Sequence, residues 1–347
     1  MSRFLRLAFV AVILLPFTVC FFRSHRLEQR ISTANLQQAS KDQLVEFINK
    51  QAGQITTLNA TVNISPAVGG SKKGEVTEYT DVPGYVLVRK PGMLRMIGLV
   101  PVVRNRMFDM VSNGTSFWLS VPPKNKFIVG RNDVIHPSHS ALENLRPQAI
   151  MDALLLHEID ALNEISVLEN TTEPVLEAKS KKQVEEPDYT LDVISKSGND
   201  WTLSRKIIFS RQDLLPNRQI IYDKNGNVAT DARYEKYNNL NGINFPTKIT
   251  INRPQEEYDI ILDVTKARFN EPLKDEQFQL AQPPGSQLVR LDLPETERME
   301  IPQPPHPKKN EKKGSSSRGT GARGGDDSSP SSSDQPQEND QPQESTH

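Results

Sequence analysis

Residues 85–130 read YVLVRKPGMLRMIGLVPVVRNRMFDMVSNGTSFWLSVPPKNKFIVG and carry the clearest structural signal in the chain. Apolar and polar residues alternate here in short runs, as at Phe117, Leu119 and Val121, and this period of two is typical of half-buried strands. The pair Asn113-Gly114 is a hairpin signal, because it favours turns whose twist matches that of the flanking strands. The stretch therefore predicts several antiparallel strands joined by tight turns.

The same two patterns recur along the chain and extend the predicted sheet. Alternation returns in three further runs, at residues 58–64, 189–193 and 258–264. Three more dipeptides give hairpin signals, namely Ser197-Gly198, Asn225-Gly226 and Asn241-Gly242. We therefore predict a mainly β, α+β fold, in which about 10–11 strands form an incomplete antiparallel barrel. The polar segment from Thr172 to Glu186 is predicted as a surface loop.

Two segments are predicted as helices that cover this sheet. Ser40 and Gln43 form a capping box, and apolar residues then recur at helical spacing as far as Ile55. From Leu142 to His157 the apolar residues cover more than a narrow stripe, with Arg146-Pro147 as a break. A helix that is apolar on several sides requires burial or a concave partner. We therefore expect the second helix to be buried against the curved sheet.

The N-terminal segment resembles an export signal. Two arginines precede an apolar run from Leu7 to Phe22, which is shorter than the roughly 20 residues that a membrane-spanning helix requires. Cys20, the chain's only cysteine, lies near the end of this run, in an arrangement that resembles the processing site of bacterial lipoproteins. We predict a signal peptide over residues 1–19, a lipid on Cys20 and a polar tether over residues 20–39. An uncleaved signal anchor and an incidental cysteine are the alternatives.

The C-terminal segment has the composition of a disordered tail. From Pro302 to His347 the chain has no Val, Ile, Leu, Met or aromatic residue, and Ala322 is the sole aliphatic residue. Such a segment cannot bury enough apolar surface to offset its ordering entropy. We predict that one folded domain spans residues 40–291 and that residues 292–347 are disordered.

Charge and motif content argue against several functional classes. The formal net charge is −1, whereas a general nucleic-acid binder needs a basic surface to neutralise phosphates. The sequence contains no P-loop, no G-x-S-x-G motif and no dinucleotide fingerprint after a predicted strand, and the pair His136 and His139 has no glutamate at zinc-protease spacing. We therefore predict no enzymatic activity, no cofactor, no metal site and no nucleic-acid partner.

A series of motifs follows in a recognisable order within residues 40–291. After Lys90-Pro91 come an arginine-containing strand, the Asn-Gly hairpin, an aromatic strand with Trp118 and a proline-rich turn. The series then continues with Leu214-Leu215-Pro216, Asp223-Lys224-Asn225-Gly226, Asn244-Phe245-Pro246 and Phe278-Gln279-Leu280. In this order the motifs resemble the outer-membrane lipoprotein-carrier family, which has the LolA/LolB-like fold.

The resemblance implies a half-barrel that is covered by helices and binds the acyl chains of lipoproteins between the sheet and a helical lid. The family's carrier form is soluble in the periplasm, whereas its receptor form is itself a lipoprotein of the outer membrane. A lipid on Cys20 would make this chain similar to the receptor form. We therefore expect a monomer anchored at the periplasmic face of the outer membrane, with an inner-membrane signal anchor as the alternative.

The resemblance also suggests site residues. Inward residues of the sheet and of the second helix are expected to line an acyl-chain cavity, with plain core packing as the alternative for each: Leu87, Leu94, Met96, Phe108, Met110, Phe117, Leu119, Ile150, Leu154 and Leu155. Lys90 occupies the position at which the family's carrier has an arginine that helps to hold the lid. The receptor form's exposed apolar loop also has a candidate, with core packing of a strand end as its alternative: Leu99, Val100, Val102 and Val103.

The predicted function is therefore the reversible binding of lipid acyl chains or lipoproteins. Burial contributes roughly 0.8 kcal/mol per methylene, so a dry concave surface is sufficient and no proton transfer is needed. Such a membrane-anchored periplasmic lipoprotein would assist the localisation of lipoproteins to the outer membrane. The alternative is a structural or lipid-sensing module that uses the same fold without transferring its ligand.

Overall fold

The computed structural model describes residues 35–70, 74–133, 144–176 and 183–293. Within these residues, 15 strands form a single sheet, and two α-helices pack against it. The predicted signal peptide, the predicted lipidation site Cys20, the two histidines at positions 136 and 139, and the tail from residue 294 onward lie outside the described residues. None of the helices in the described ranges is long and apolar enough to cross a membrane.

The elements follow one another along the chain as follows. The helices are α1 (Lys41–Gln54) and α2 (Pro147–Leu154), and short 3-10 turns occur at Pro122–Lys124 and Asp275–Phe278. The first seven strands are β1 (Thr57–Gly70), β2 (Glu75–Glu78), β3 (Val82–Arg89), β4 (Met93–Leu99), β5 (Arg106–Asn113), β6 (Ser116–Val121) and β7 (Lys126–Arg131). The remaining eight are β8 (Glu164–Leu176), β9 (Gln183–Ser197), β10 (Asp200–Ser210), β11 (Pro216–Tyr222), β12 (Val228–Leu240), β13 (Ile243–Arg253), β14 (Tyr258–Phe269) and β15 (Gln287–Arg290).

The sheet consists of two meanders joined through its first strand. Its spatial order is β15-β7-β6-β5-β4-β3-β1-β14-β13-β12-β11-β10-β9-β8, with β2 paired to β1 beside this path. Strand β1 pairs with β3 on one side and with β14 on the other, so it connects the β3–β7 meander to the β8–β14 meander. The pair β15–β7 is parallel and the others are antiparallel. The sheet is therefore open, with β8 and β15 at its two ends.

The position of α2 shows that the sheet is curved. This helix has eight residues and is roughly 12 Å long. It lies against β4 and β5 in one meander and against β12 and β13 in the other. On a flat sheet, β5 and β12 would be roughly 30 Å apart, at about 4.8 Å for each step between neighbouring strands. The sheet must therefore wrap around α2, and we call the face that contacts the helices the inner face and the opposite one the outer face.

Several local predictions are confirmed. The Ser40 hydroxyl accepts a hydrogen bond from the Gln43 amide at 3.3 Å, and the Gln43 side chain accepts one from the Ser40 amide at 2.8 Å, so the capping box begins α1. All four predicted glycine turns connect consecutive strands, and their glycines have positive φ. At Asn241 and Gly242 both φ values are positive, 56° and 86°, as the favoured two-residue hairpin turn requires.

Three predictions differ from the structure. The described residues contain 15 strands rather than about 10–11, in part because β2 and β15 are short strands of four residues each with little alternation. The segment from Thr172 to Glu186 is not simply a loop, because β8 and β9 remain paired as far as Leu176 and Gln183. The second helix is shorter than residues 142–157: Pro147 occupies its first turn, and the backbone of Leu155 is already extended.

Candidate functional site

A pocket lies at the end of α2, between α1 and strands β12 and β13. Its lining is mostly apolar and consists of Gln51, Ile55, Lys90, Leu154, Leu155, Leu156, Tyr234, Tyr237, Phe245 and Pro246. The cavity measures about 20 Å³, which is room for about one water molecule. In this conformation the helices and the inner face are therefore packed together, and the pocket marks the point at which that packing is incomplete.

The apolar walls of the pocket are held by the surrounding strands. Phe245 on β13 is buried and packs edge-to-face on Phe269 of β14, with ring centroids 5.2 Å apart. The Tyr237 hydroxyl donates a hydrogen bond to the Pro216 carbonyl at 2.7 Å, which directs its ring along the sheet. Such aromatic contacts contribute about 0.5–1.5 kcal/mol beyond the burial of their area. These side chains therefore form the rigid side of the pocket.

Lys90 forms the cationic corner of the pocket. Its ammonium group donates a hydrogen bond to the Ala52 carbonyl in the last turn of α1, where helix carbonyls lack partners within the helix. Burial lowers the pKa of Lys90, and the negative charge of Glu158 opposes that shift. The residue predicted as a lid latch thus connects the end of β3 to the end of α1.

Two buried polar atoms in the same lining have no hydrogen-bond partner among the described residues. They are the hydroxyl of Tyr234, a residue that is 5% exposed, and the Oε1 atom of Gln51. Burial raises the pKa of Tyr234, and the charges of Asp152 and Asp231 raise it further, so the phenol is neutral and can donate a proton to a hydrogen bond. An unsatisfied buried polar group costs about 1–3 kcal/mol, so both atoms favour a polar ligand or water in the pocket.

The segment around α2 is tied to the sheet at both of its ends. At the N-terminal end the Arg146 guanidinium lies over the ring of Phe117 on β6, with its Cζ atom 5.7 Å from the ring centroid. Arg205 on β10 donates hydrogen bonds to the carbonyls of His157 at 3.1 Å and Glu158 at 2.8 Å. The Asn49 side chain of α1 accepts a hydrogen bond from the Ile159 amide at 2.7 Å. On α2 itself, the carbonyl of Asp152 accepts a hydrogen bond from Gln219, and the other contacts with the sheet are largely apolar.

Most of the predicted cavity residues lie together on the inner face. Seven sheet and helix residues are buried in the same core cluster as Leu154 and Leu155, or pack against it: Leu94, Met96, Phe108, Met110, Phe117, Leu119 and Ile150. Of the predicted set, only Leu154 and Leu155 line the pocket itself. The others pack against one another in the core cluster and do not line the pocket.

Leu87 does not belong to this group, and its assignment to the cavity is wrong. Its neighbours Val86 and Val88 are buried on the inner face, so the alternation of β3 turns Leu87 to the outer face. There it packs in a second, smaller cluster with Leu273 and Phe278, beneath the turn Asp275–Phe278. The alternation was visible in the sequence, but it did not reveal which side of β3 faces inward.

The predicted apolar loop connects β4 to β5 and exposes two valines. Val102 is 96% exposed and Val103 is 62% exposed, whereas Leu99 and Val100 are half-buried. Core packing of a strand end, the alternative interpretation, therefore does not apply to the two valines. Val102 has φ 69°, which is unusual for a β-branched residue and costs on the order of 1–3 kcal/mol. The loop thus holds an apolar tip in solvent at a conformational cost.

The sequence did not point to the pocket residues of β12. This strand reads VATDARYEKYNNL. Because most of its residues are polar, no alternation marked Ala232 and Tyr234 as the inward, buried positions. Phe245 had a weak signal in the motif Asn244-Phe245-Pro246. Gln51 had none, because a glutamine near the end of an exposed helical face is common. In the described ranges no group of His, Cys, Asp and Glu is arranged to hold a metal ion.

Comparisons with known proteins give a family model and several solved structures. A family model described as an uncharacterized protein matches residues 166–282, which is less than half of the chain, and no curated protein matches. A DUF1329 family protein from Desulfovibrio piger is similar at 17% identity with a TM-score of 0.45, over 69% of this chain and 95% of that one. A LolA superfamily protein from Nitrosomonas europaea is similar at 14% identity with a TM-score of 0.41, over 70% of this chain and 99% of that one.

Proposed function

We propose that this protein binds an acyl chain of a lipid or a lipoprotein between the inner face of the sheet and α2. The observation that carries the proposal is the pocket at the end of α2. Its walls at Leu154, Leu155 and Phe245 are apolar, and it lies where the short helix α2 packs against a large aliphatic core. A hydrocarbon chain that enters there would replace helix contacts with equivalent apolar contacts.

In this proposal α2 acts as the lid and moves when a chain enters. The segment that follows α2 is held at residues 157–159 by Arg205 and Asn49, which makes that point a natural pivot. The contacts of α2 itself are mostly apolar and non-directional, so an acyl chain can substitute for them. The directional contacts that must break include the hydrogen bond from Gln219 to the Asp152 carbonyl and the contact of Arg146 with the ring of Phe117.

The energetics permit this exchange. A side chain such as Ile150 or Leu154 contributes about 1.5–3 kcal/mol when it is fully buried, so lifting α2 without a ligand is costly. A chain of about ten methylenes returns roughly 8 kcal/mol on burial. The closed conformation is therefore the stable state without ligand, and a long chain shifts the equilibrium toward the open state.

We place the protein at a membrane surface as part of the same proposal. A lipid on Cys20 would anchor it at the periplasmic face of the outer membrane, where it would assist lipoprotein localisation. The exposed tip formed by Val102 and Val103 would contact the membrane during delivery, since solvated apolar residues in a strained loop favour a lipid surface. A mass shift on Cys20 in protein isolated from membranes would test the anchor.

The acyl-binding proposal is tested by native mass spectrometry and solvent extraction of the purified full-length protein. We expect one hydrocarbon chain per molecule, and saturable binding of a fluorescent acyl probe after delipidation. Leu155→Asn should weaken probe binding at least tenfold, because it places an amide in the apolar wall. The matched control Leu162→Asn changes a residue that is 88% exposed and should leave binding unchanged. Absence of both copurified lipid and saturable binding would overturn the proposal.

A second candidate function is supported by a different surface. Strand β8 ends the sheet, and from Glu164 to Glu173 its charged residues are three glutamates, without the lysine or proline that most often protects an edge strand. Ile165 and Val167 are exposed on its outer face, and Trp201 is exposed on the same face of β10. This edge suits a structural or sensory module that pairs with an extended segment of a partner. Val167→Lys should abolish such pairing and leave acyl binding intact.

A further inference from the structure

The pocket contains a cation that acyl-chain binding alone does not require. Lys90 has three N–H donors, and within the described residues the Ala52 carbonyl is the acceptor it contacts. Glu158 influences its charge from an exposed position without a hydrogen bond to it in the described ranges. The ammonium group therefore faces a mostly apolar lining with donors to spare.

A second donor lines the same pocket. The Tyr234 hydroxyl is buried, neutral and without a partner among the described residues. An ammonium and a phenol together offer donors, which is the complement of an acceptor-only group with two oxygens, and the carboxylates that act on them, Glu158, Asp152 and Asp231, lie outside the lining. A carboxylate is such a group, and charge-assisted hydrogen bonds to it are about twice as strong as neutral ones.

We infer that the pocket selects a single-chain amphiphile with a carboxylate head, a free fatty acid, whose carboxylate pairs with Lys90 and Tyr234. The inference rests on the proposed acyl-chain function and adds the identity of the head group. The hydrocarbon tail runs from this polar corner past Leu154 and Leu155 into the inner-face core. The pocket provides one cation, which matches one carboxylate charge.

A neutral head group would leave this corner unsatisfied. When an ester occupies the pocket, the half-buried ammonium group loses contact with water and keeps only the charge of the exposed Glu158 to balance it, which weakens binding unless the lysine gives up its proton. A carboxylate cancels that cost and satisfies the tyrosine as well. The acid should therefore bind more tightly than its own methyl ester, although the ester has the more apolar head.

The test compares oleate with methyl oleate on the delipidated full-length protein, by displacement of a fluorescent probe at ligand concentrations below micelle formation. We expect oleate to bind at least tenfold more tightly than methyl oleate. In Lys90→Met the ratio should fall to about one or below, because methyl oleate no longer covers an ammonium group and should bind more tightly, whereas oleate loses its counter-charge. Tyr234→Phe should weaken oleate binding about fivefold, as expected for the loss of one hydrogen bond. Lys90→Arg keeps the charge and should keep the preference.

The control is Lys266→Met, which removes a cation from an exposed position on β14 and should leave both affinities unchanged. Equal binding of oleate and methyl oleate by the wild type would overturn the head-group assignment and leave the acyl-chain proposal standing. Failure of both probes to bind would overturn the two proposals together. A preference for oleate that persists in Lys90→Met would show that another group selects the carboxylate.

Discussion

The inner face of the sheet and the outer face of β8–β12 cover mainly different kinds of side chain. On the inner face, aliphatic and aromatic residues from both meanders and both helices form one continuous cluster. On the outer face of β8–β12, charged side chains are partly buried in pairs, as where Arg218 contacts Asp231 at 2.7 Å and also pairs with Glu173. Dispersion and hydrophobic contacts are non-directional, whereas ion pairs depend on geometry. The difference suggests a rigid outer scaffold and an inner face whose contacts can be exchanged for those of a lipid.

The largest expected effect comes from the inner face. Phe209 on β10 is fully buried and packs edge-to-face on Phe47 of α1, with ring centroids 6.1 Å apart. Phe209→Ala should reduce the free energy of unfolding by about 3–5 kcal/mol, because it removes apolar contacts and leaves a cavity. Urea denaturation followed by circular dichroism measures this. The control Trp201→Ala changes an exposed aromatic and should cost under about 1 kcal/mol. Similar losses of unfolding free energy in both variants would contradict the proposal that the inner face carries most of the apolar stabilisation.

A smaller effect is expected from the outer-face ion pairs. Arg218→Met should cost about 2 kcal/mol, because two partly buried carboxylates lose their charged hydrogen bonds. Arg268→Met is the matched control: Arg268 also pairs with a glutamate, Glu271 at 3.2 Å, but both side chains are well exposed. Exposed pairs contribute about 0–1 kcal/mol, so the same denaturation experiment should separate the two variants. If Arg218→Met and Arg268→Met lose similar amounts of unfolding free energy, the ion pairs of the outer face do not stabilise the fold.

The pH dependence of stability tests the raised pKa of one buried carboxyl on the outer face, that of Asp188. Burial raises the pKa of Asp188 to about 7; the nearby charges of Glu186 and Glu173 add to the increase, and Asn217 opposes it. The folded protein thus holds this proton more tightly than the unfolded chain, where aspartate titrates near 3.9. The stabilisation from Asp188 is complete below that pH and is lost as the pH rises toward 7.

Wild type should therefore lose about 1–3 kcal/mol of stability between pH 5 and pH 8, relative to Asp188→Asn over the same interval. The substitution keeps the size of the side chain and removes its titration, and the remaining ionisable groups are common to both proteins. Denaturation curves at the two pH values give the difference. Parallel pH profiles for the two proteins would rule out the raised pKa.

The smallest effect on stability is expected at the exposed loop. The double variant Val102→Ser, Val103→Ser should change the free energy of unfolding by no more than about 0.5 kcal/mol, because the two side chains contact solvent. Its binding to phospholipid vesicles, measured by cosedimentation, should nevertheless decrease. Unchanged vesicle binding would show that the loop does not contact the membrane. A large loss of stability would show that the valines pack in the core.

The sequence predicted those parts of the fold whose signals are local. The capping box of Ser40, the glycine turns and the alternation of β1, β6, β9 and β14 depend on neighbours only a few residues away, and the structure confirms them. The hairpin of β8 and β9 was missed because its polar residues are held by distant partners, such as Arg218 for Glu173. Such pairing depends on strand order, which no local pattern contains.

The site was predictable only in part, for the same reason. Leu154 and Leu155 belong to a visibly apolar helical segment, and Lys90 precedes a proline in the motif that resembles the lipoprotein carriers. Leu87 was assigned to the wrong face, because alternation gives two faces and does not say which of them the helices cover. Tyr234 and Gln51 join the pocket only through the curvature that brings β12 to the end of α1.

The most direct test of acyl-chain binding is an isotope-filtered NMR experiment that locates the bound chain. The protein is labelled at its leucine, isoleucine and valine methyl groups, and unlabelled oleate is added. We predict nuclear Overhauser effects from the chain methylenes to the methyl groups of Leu154, Leu155 and Ile55, which line the pocket. Effects confined to the exposed Val102 and Val103, or to Ile165 and Val167 on the edge strand, would contradict binding beneath α2.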